Sequence, residues 1–307
     1  MITCDEDAPD FGEGRGFRHT VSRITAATAF ANHRGRDMLF NPGDDVWIMG
    51  KLAYGVVDKD LKDEDVDIWL QRDCGAAWEY VDTARSTKEG AHETIEGVED
   101  TGGRVYFRVP EELELGPGRH RFELVVAGDG THTSVYVDIV PEGQPIVVSD
   151  VDGTLTTNEL IEFPAMLASA TPPANRGAPE VLGALAARGY RVMYLTARPE
   201  YLGTRTHEFL AERGFPPGIV HTTLSKGGAN GSAAAAFKTA ELQAVGERGL
   251  VPTWGFGNRD SDAQTYDAIG AETCVLFQWD DPGKGCRRIE SYEDLLPEIE
   301  ETGAVCP

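Results

Sequence analysis

Hydrophobic and polar positions follow a different period in each of three successive parts of the chain. Near the start, apolar residues recur every three or four positions and predict a short amphipathic helix: Phe17, Val21, Ile24, Ala27 and Ala31. From Val46 to Val140 the period is two, which is typical of strands with one buried face. After residue 145, short apolar runs alternate with helical patterns. The pattern therefore predicts two domains of different fold class after a terminal segment.

The middle part of the chain is predicted to form an antiparallel β-sandwich, with domain boundaries at residues 41–142. Glycine and acidic turns such as Gly128-Asp129-Gly130 separate its alternating segments. These segments cover residues 46–49, 66–70, 78–81, 105–109, 122–126 and 135–139. Alternation places most of their aromatic side chains on one face, so we assign those side chains to the core. The sequence offers no catalytic cluster in this domain.

The last part, residues 146–303, predicts a doubly wound α/β domain after a linker at residues 141–145. Strands are expected at residues 146–150, 191–196, 219–224, 252–257 and 273–278. Helix signals are Pro179 and Gly189 for one helix, Gly214 for the end of another, and Ser291 with Asp294 for the last. Strands that alternate with helices form a largely parallel sheet, whose chemistry lies at the carboxyl ends of the strands.

Charge and composition exclude several functions. The net charge of −23 argues against nucleic acid, because a phosphate backbone would be repelled. No apolar run approaches the length of about eighteen residues that a membrane span needs, and the start of the chain has no apolar signal segment. Five scattered cysteines lack metal-ligand spacing, which favours free thiols in a reducing compartment. We therefore expect a cytoplasmic protein, with peripheral membrane contact as a further option.

Residues 1–40 are predicted to form an acidic tail and a short amphipathic segment. Residues 1–15 are acidic and glycine-rich and predict disorder. Residues 15–36 reverse this charge with a basic cluster: Arg15, Arg18, His19, Arg23, His33, Arg34 and Arg36. We favour a terminal helix docked on its own domain, because single short amphipathic segments usually pack. The alternative is contact of residues 15–36 with an anionic lipid surface.

The strongest chemical signal is Asp150-Val-Asp152-Gly153-Thr154, which follows the apolar strand Ile146 to Ser149. Paired carboxylates followed by a glycine turn suit phosphoryl transfer, in which one carboxylate attacks phosphorus and the other carries a proton for the leaving oxygen. A cation beside both would neutralise the developing charge. Gly153 permits the tight turn, and the hydroxyl of Thr154 can hold it. The motif predicts a phosphatase that uses an aspartate nucleophile.

Later strand ends supply partners for these carboxylates. Thr196 follows a strand, and its hydroxyl could donate to a phosphoryl oxygen, as could the backbone N–H of Ala197; a threonine there is also often a helix cap. Lys238 lies on a helix expected at residues 233–245, where its ammonium could neutralise phosphate. Lys226, on a glycine-rich loop, competes for the same role, and the sequence does not decide between the two lysines.

A second acidic cluster follows the strand that ends near Gly257. Asp262 is the natural metal ligand, and Asn258 supplies an amide oxygen or orients it. Asp260 is either a ligand or only a helix N-cap. Few hard oxygen ligands, with room for water and phosphate, suit Mg²⁺. The sequence thus predicts a Mg²⁺ site at the same sheet edge as the D-x-D motif.

Together these motifs resemble the haloacid dehalogenase superfamily. More narrowly, the chain resembles the catalytic domain of lipins, the Mg²⁺-dependent phosphatidate phosphatases, and the related domain of membrane-associated phosphatidylinositol transfer proteins. The most particular parts are Phe237-Lys238 and Phe256-Gly257-Asn258-Arg259 with Asp262. The resemblance covers residues 146–300. Lipins also carry an immunoglobulin-like sandwich, which the resemblance implies for the first domain.

The resemblance implies a role for each matching residue. Asp150 would become an aspartyl-phosphate, and Asp152 would act as acid and then as base. Thr154, Thr196, Ala197, Lys238 and Arg259 would bind the substrate phosphate. Mg²⁺ would be held by Asp150, the carbonyl of Asp152, Asn258 and Asp262.

Departures from these families bear on activity. Asp260 stands where lipins often have proline. The lipid-transfer relatives often have a degenerate acidic pair and bind phosphatidate without cleaving it, whereas both carboxylates are intact in this chain. Hydrolysis is therefore the better prediction.

The substrate is predicted from the space around the motif. Only residues 156–178 separate the motif from the next helix, too few for a large cap domain. An uncovered site would admit a bulky or membrane-held phosphate ester, so we expect phosphatidate or a similar lipid phosphate. Two alternatives stay open: a lipid-binding sensor or transfer module without turnover, and a phosphatase for a soluble phosphate ester.

Overall fold

The computed structural model describes residue 4, residues 8–157 and residues 171–305. It divides into two compact units, with the break between Val140 and Pro141. The break falls at the start of the proline- and glycine-containing linker.

The first unit is built from ten strands in the described part of the chain. These are β1 (Arg34–Arg36), β2 (Met38–Phe40), β3 (Trp47–Lys51), β4 (Ala53–Tyr54), β5 (Lys59–Asp60), β6 (Asp65–Gln71), β7 (Trp78–Arg85), β8 (Arg104–Arg108), β9 (Gly118–Val126) and β10 (His132–Ile139). They form a three-stranded sheet β1-β3-β8, a five-stranded sheet β2-β10-β9-β6-β7 and the small pair β4-β5. The two larger sheets approach closely at Gly50 of β3, where an added Cβ would lie 2.4 Å from Leu124 Cδ1 of β9.

The six alternating segments predicted for this unit are confirmed as β3, β6, β7, β8, β9 and β10. The expectation of a purely antiparallel sandwich is wrong at one edge, because β2 pairs with β10 in parallel. The boundary at residue 41 also falls too late, since β1 and β2 precede it. Both strands are only three residues long, and β1 reads Arg-Gly-Arg with its arginines buried, so it has no apolar alternation to detect.

The segment before the first strand packs against this unit. The ring of Phe11 lies 5.3 Å from that of Trp69 and 5.8 Å from that of Trp78, and Arg15 donates to both oxygens of Asp67 at 2.6 and 2.8 Å. The predicted disorder is therefore wrong for residues 8–15. Trp69 and Trp78 pack with this segment, so the assignment of the aromatic side chains to the core does not hold for these two.

Helix α1 (Thr20–Thr28) is attached to its own unit, as we favoured, but its apolar residues do not make the attachment. Ser22 is its buried residue, whereas Val21 and Ile24 are 67% and 58% exposed. The backbone N–H groups of Arg18 and His19 donate to the carboxylate of Glu64 at 2.7 and 3.0 Å. Phe17, the first residue of the predicted stripe, packs against Gly128 of the sandwich. The helix itself is thus attached to its own unit mainly by polar contacts, and its residues Val21 and Ile24 face outward.

The second unit contains a six-stranded parallel sheet. Its strands are β11 (Pro145–Ser149), β12 (Arg191–Pro199), β13 (Ile219–Thr223), β14 (Val251–Gly257), β15 (Thr273–Phe277) and β16 (Arg287–Ile289). Their order is β13-β12-β11-β14-β15-β16. Its helices within residues 141–157 and 171–305 are α2 (Ala178–Ala187), α3 (Gly203–Glu212), α4 (Ser232–Glu247), α5 (Asp260–Ile269) and α6 (Leu296–Glu301).

This strand order places the predicted motifs at the carboxyl ends of β11 and β14, where the order of the strands reverses. The chain begins in the middle of the sheet at β11, adds strands on one side and then crosses to β14 on the other. Ligands of such sheets bind at the carboxyl ends of the strands where the order reverses. The five predicted strands are confirmed, as are the helix signals of Pro179, Gly189 and Gly214, and β16 is an addition. Ser291 caps the 3₁₀ helix Tyr292–Leu295, which comes just before α6, and not α6 itself. The predicted absence of a large cap concerns residues 156–178, of which residues 158–170 lie outside the described part.

Two cysteine pairs contradict the expectation of free thiols. Cys4 with Cys74, and Cys274 with Cys286, are joined as disulfides. The spacing of the cysteines in the sequence does not predict these disulfides, because the folded chain brings the two cysteines of each pair together. The first pair is separated by 70 residues in the sequence. The cysteine argument for a reducing compartment therefore fails. Within the described residues, no helix combines the length and hydropathy needed to cross a membrane.

Candidate active site

The carboxyl end of β11 carries the first acidic residue of the site. Asp150 is 6% exposed, and its backbone N–H donates to the carbonyl of Phe256 in β14 at 2.9 Å. The following turn needs a glycine, because Gly153 has φ +76°. The hydroxyl of Thr154 lies 3.1 Å from Asp150 Oδ2 and 3.1 Å from Asn258 Oδ1. The turn thereby joins the ends of the two adjacent strands.

Lys238 connects the two acidic clusters. It lies on α4, is 4% exposed, and its Nζ donates to Asp150 Oδ1 and to Asp262 Oδ1, each at 2.6 Å. Lys226 is exposed on the loop before α4. The structure therefore brings Lys238 into the site and leaves Lys226 at the surface.

Asp262 holds the loop between β14 and α5. Its Oδ2 accepts from the backbone N–H groups of Asn258 and Arg259 at 3.0 and 3.1 Å. Gly257 is required here, since an added Cβ would lie 2.3 Å from Asp262 Cβ. Asp260 is the first residue of α5 and not its N-cap; its Oδ1 accepts from Trp279 Nε1 at 2.8 Å. Asp260 thus points to the β15 loop, and Arg259 is exposed beside it.

The second carboxylate of the motif has a partner that the sequence analysis did not assign. Arg198 is 6% exposed and donates from Nε to Asp152 Oδ2 at 2.8 Å and from Nη2 to Asp152 Oδ1 at 2.7 Å. Its Nη1 donates to Thr206 on α3 at 2.9 Å, and the Thr196 hydroxyl lies 3.3 Å from Asp152 Oδ2. A paired guanidinium of this kind fixes the orientation of a carboxylate. The signal in the sequence is an arginine two residues after Thr196, in Leu195-Thr196-Ala197-Arg198.

The charges of the buried site do not cancel. Asp152 has Arg198 as its partner, whereas Asp150 and Asp262 share the single ammonium of Lys238. Burial, together with the charges of Asp262 and Asp152, raises the pKa of Asp150 to about 6, although Lys238 opposes this rise. Burial alone would lower the pKa of Lys238, but the charges of Asp150 and Asp262 raise it above its ordinary value. One negative charge is left without compensation.

A hard cation fits this arrangement. The Thr154 hydroxyl has a single hydrogen but lies within reach of both Asp150 Oδ2 and Asn258 Oδ1, so one of these oxygens keeps its full accepting capacity. Among the residues described, no three His, Cys, Asp or Glu side chains form a ready metal cage. Mg²⁺ needs only one or two carboxylates and keeps several waters. The excess charge and the oxygen donors are thus compatible with Mg²⁺.

We expect Mg²⁺ to stabilise the protein more at pH 7.5 than at pH 5. The folded-state pKa of Asp150 lies above its ordinary value of 3.8, so this group makes the protein less stable as pH rises from about 3.8 to about 6. At pH 7.5 a bound cation would offset this cost, which is at most roughly 3 kcal/mol, whereas at pH 5 the proton already does so. Differential scanning fluorimetry with and without MgCl₂ measures the effect. Equal shifts at both pH values, or an undiminished shift in Asp150→Asn, would contradict it.

Both units have known relatives. Residues 31–139 match the family model for the β-sandwich domain of PITM 1-3, and residues 147–278 match the model for the LNS2 domain of PITM 1-3. The chain therefore consists of a β-sandwich domain followed by an LNS2 domain, and it is related to the PITM 1-3 family. This confirms the predicted relation to membrane-associated phosphatidylinositol transfer proteins.

Two relatives match the chain at low identity. The protein retinal degeneration B of Drosophila melanogaster is 26% identical over 298 residues, which is 95% of this chain and 22% of that protein. Human membrane-associated phosphatidylinositol transfer protein 2 is 30% identical over 192 residues, which is 62% of this chain and 13% of that protein. The chain spans less than a quarter of the length of either relative. A solved structure described as a HAD-like phosphatase from Mesorhizobium loti is 18% identical with a TM-score of 0.42, over 54% of this chain and 91% of that one.

Proposed function

We propose that the LNS2 domain is a Mg²⁺-dependent phosphomonoesterase that forms an aspartyl-phosphate on Asp150. The observation that carries this proposal is the position of Lys238, whose ammonium bridges Asp150 and Asp262 beside Thr154 and Asn258. Phosphoryl transfer depends mainly on positioning and on neutralisation of developing charge. A nucleophilic carboxylate, a buried cation and hard oxygen donors meet at one strand end, which supports this chemistry.

In the proposed reaction, each side chain acts from the place described above. Asp150 Oδ2, whose only described partner is the Thr154 hydroxyl, attacks phosphorus. Lys238 neutralises charge on the phosphoryl group and keeps the nucleophile ionised. The Thr196 hydroxyl and the backbone N–H of Ala197 bind a phosphoryl oxygen, and Arg259 stands at the exposed edge.

Asp152 completes the proposed reaction. Asp152, which is ionised beside Arg198 before substrate binds, takes the proton of a phosphomonoester that binds as its monoanion and gives it to the leaving oxygen; it then takes a proton from the water that cleaves the aspartyl-phosphate. Arg198 orients this carboxylate before substrate arrives. Bound Mg²⁺ would supply charge neutralisation, held by Asp150, Asn258, Asp262 and the carbonyl of Asp152.

The proposed substrate is phosphatidate or a similar lipid phosphate. The names of the relatives connect them with membranes and with a phosphorylated lipid. Within the basic segment at residues 15–36, Arg15, Arg18 and Arg34 are paired with carboxylates of their own unit. The exposed Arg23 is the cation of this segment that we assign to contact with an anionic lipid surface. This combination favours a lipid ester over a soluble metabolite.

A substrate panel tests the proposed function. We expect Mg²⁺-dependent phosphate release from dioleoyl phosphatidate in mixed micelles, with kcat/KM at least about tenfold above that for glycerol 3-phosphate, because remote binding energy contributes to turnover. Malachite-green detection with MgCl₂ or EDTA measures it. Release that is equal with EDTA contradicts the metal requirement, and a preference for glycerol 3-phosphate assigns the site to a soluble ester.

A second candidate is a lipid-binding module without turnover. It is favoured by the relatives, which are named as transfer proteins rather than as hydrolases. Flotation with phosphatidate liposomes combined with the phosphate assay separates the candidates. Flotation without Mg²⁺-dependent release would favour the module.

A further inference from the structure

We propose that an exposed apolar surface of the β-sandwich unit docks onto an anionic lipid bilayer. This surface, the docking patch, consists of Val21 and Ile24 of α1, Phe30, and Val56 and Val57 between β4 and β5. The proposal deepens the lipid-directed function proposed above and rests on it for the nature of the partner.

The side chains of the docking patch are unusually exposed for their type. Their exposed fractions are 67% for Val21, 58% for Ile24, 57% for Phe30, 75% for Val56 and 81% for Val57. Among the described residues, only three other large apolar or aromatic side chains are exposed, namely Tyr80, Val251 and Trp279. Single exposed apolar residues are ordinary, but their concentration in one place indicates an interaction site.

Backbone contacts place the two parts of the docking patch side by side. Phe30 accepts a hydrogen bond from Gly55 N–H at 2.8 Å, and Asn32 N–H donates to Ala53 at 2.9 Å. A Cβ at Gly55 would lie 3.2 Å from that of Ala29. The chain that leaves α1 therefore runs along β4, and the Val56–Val57 turn lies next to Phe30.

The outward orientation of α1 is fixed by polar contacts. Glu64, which is 1% exposed, accepts from the backbone N–H groups of Arg18 and His19 just before the helix. A carboxylate is favourable at a helix N-terminus, where backbone N–H groups lack helical partners. The same contacts turn Ser22 inward and leave Val21 and Ile24 outward. The apolar stripe is thus held in solvent by the fold.

Two exposed cations next to the docking patch favour an anionic bilayer over a neutral one. Arg23 on α1 and Lys59 on β5 are exposed, and neither takes part in an ion pair within the described residues. The neighbouring Asp58 is paired with Arg34 at 2.5 Å. In a chain of net charge −23, a surface with two uncompensated cations and five apolar side chains matches the interface of anionic lipid, where apolar groups insert and cations meet headgroups.

Vesicle sedimentation of the full chain tests the proposal. Phosphatidylcholine vesicles with added phosphatidylserine serve as the probe, because phosphatidylserine is anionic but carries no phosphomonoester for the LNS2 site. We expect Val56→Asp/Val57→Asp to lower the partition coefficient about tenfold or more. Arg23→Gln/Lys59→Gln should lower it roughly tenfold on these vesicles and leave binding to pure phosphatidylcholine unchanged.

The control adds the same charges elsewhere on the unit. Ala76 and Ala77 form an exposed apolar pair before β7, so Ala76→Asp/Ala77→Asp should bind like the unaltered chain. Absence of vesicle binding by the unaltered chain, or equal losses in both aspartate variants, would overturn the proposal. So would a dimer in analytical ultracentrifugation that only Val56→Asp/Val57→Asp dissociates, with vesicle binding retained.

Failure of docking and failure of catalysis are distinguishable. The Val56→Asp/Val57→Asp variant should hydrolyse a soluble ester such as p-nitrophenyl phosphate at the rate of the unaltered chain. If the unaltered chain binds phosphatidylserine vesicles through the docking patch but releases no phosphate from any ester, the phosphatase proposal fails and the docking surface stands.

Discussion

Asp150→Asn is expected to reduce Mg²⁺-dependent phosphate release by at least about a thousandfold, because an amide cannot form the aspartyl-phosphate. The change is nearly isosteric and removes one of two carboxylates that share Lys238. The remaining pair, Lys238 with Asp262, is balanced in charge. Folding should therefore be preserved or improved at pH 7.5, and lost activity would not reflect an unfolded protein.

The matched control for this variant is Glu272→Gln. Glu272 is an exposed carboxylate between α5 and β15 of the same unit, so its loss should leave both turnover and melting temperature unchanged. Phosphate release by Asp150→Asn within about tenfold of the unaltered chain would contradict the nucleophile assignment.

Lys238→Met is expected to lower the free energy of unfolding by about 3–5 kcal/mol at pH 7.5 and to abolish activity. Removing one partner of a buried ionic group leaves uncompensated charge, and this change leaves two buried carboxylates without their shared ammonium. Because a proton can replace the lost cation, the loss of stability should be smaller at pH 5. Urea denaturation at both pH values measures it.

A second substitution separates charge from packing. In the double variant Lys238→Met/Asp262→Asn, Asp150 alone among the three residues that share the Lys238 contacts keeps a charge, so much of the stability at pH 7.5 should return while activity stays absent. Lys226→Met is the matched control at an exposed lysine and should change neither quantity. A Lys238→Met chain as stable as the unaltered one would contradict the charge balance described for the site.

Much of the sheet architecture could be predicted because the hydrophobic pattern of a strand indicates which of its faces are buried. Ile146 to Val148 is a continuous apolar run within the central β11, while the alternation in residues 132–139 of β10 follows from one buried face. Since the carboxyl ends of parallel strands meet at one edge, Asp150 and Asn258 could also be predicted to lie close together.

Other features depend on side-chain contacts that no local pattern encodes. Lys226 and Lys238 are equivalent by type, and only the packing of α4 selects Lys238. Arg198 lies near the end of β12, and nothing in the sequence indicates that its guanidinium binds the carboxylate of Asp152. The orientation of α1 is decided by a buried Glu64 about forty residues away, which overrides the tendency of an apolar stripe to pack inward.

The measurement that tests the central claim most directly is a search for phosphate covalently bound to Asp150. The chain is incubated with Mg²⁺ and phosphatidate labelled in its phosphate group, quenched in acid during turnover and digested for mass spectrometry. We predict a hydroxylamine-labile label on the peptide that contains Asp150, and none in Asp150→Asn. Steady release of phosphate by an unaltered chain whose Asp150 peptide never carries the label would contradict the account.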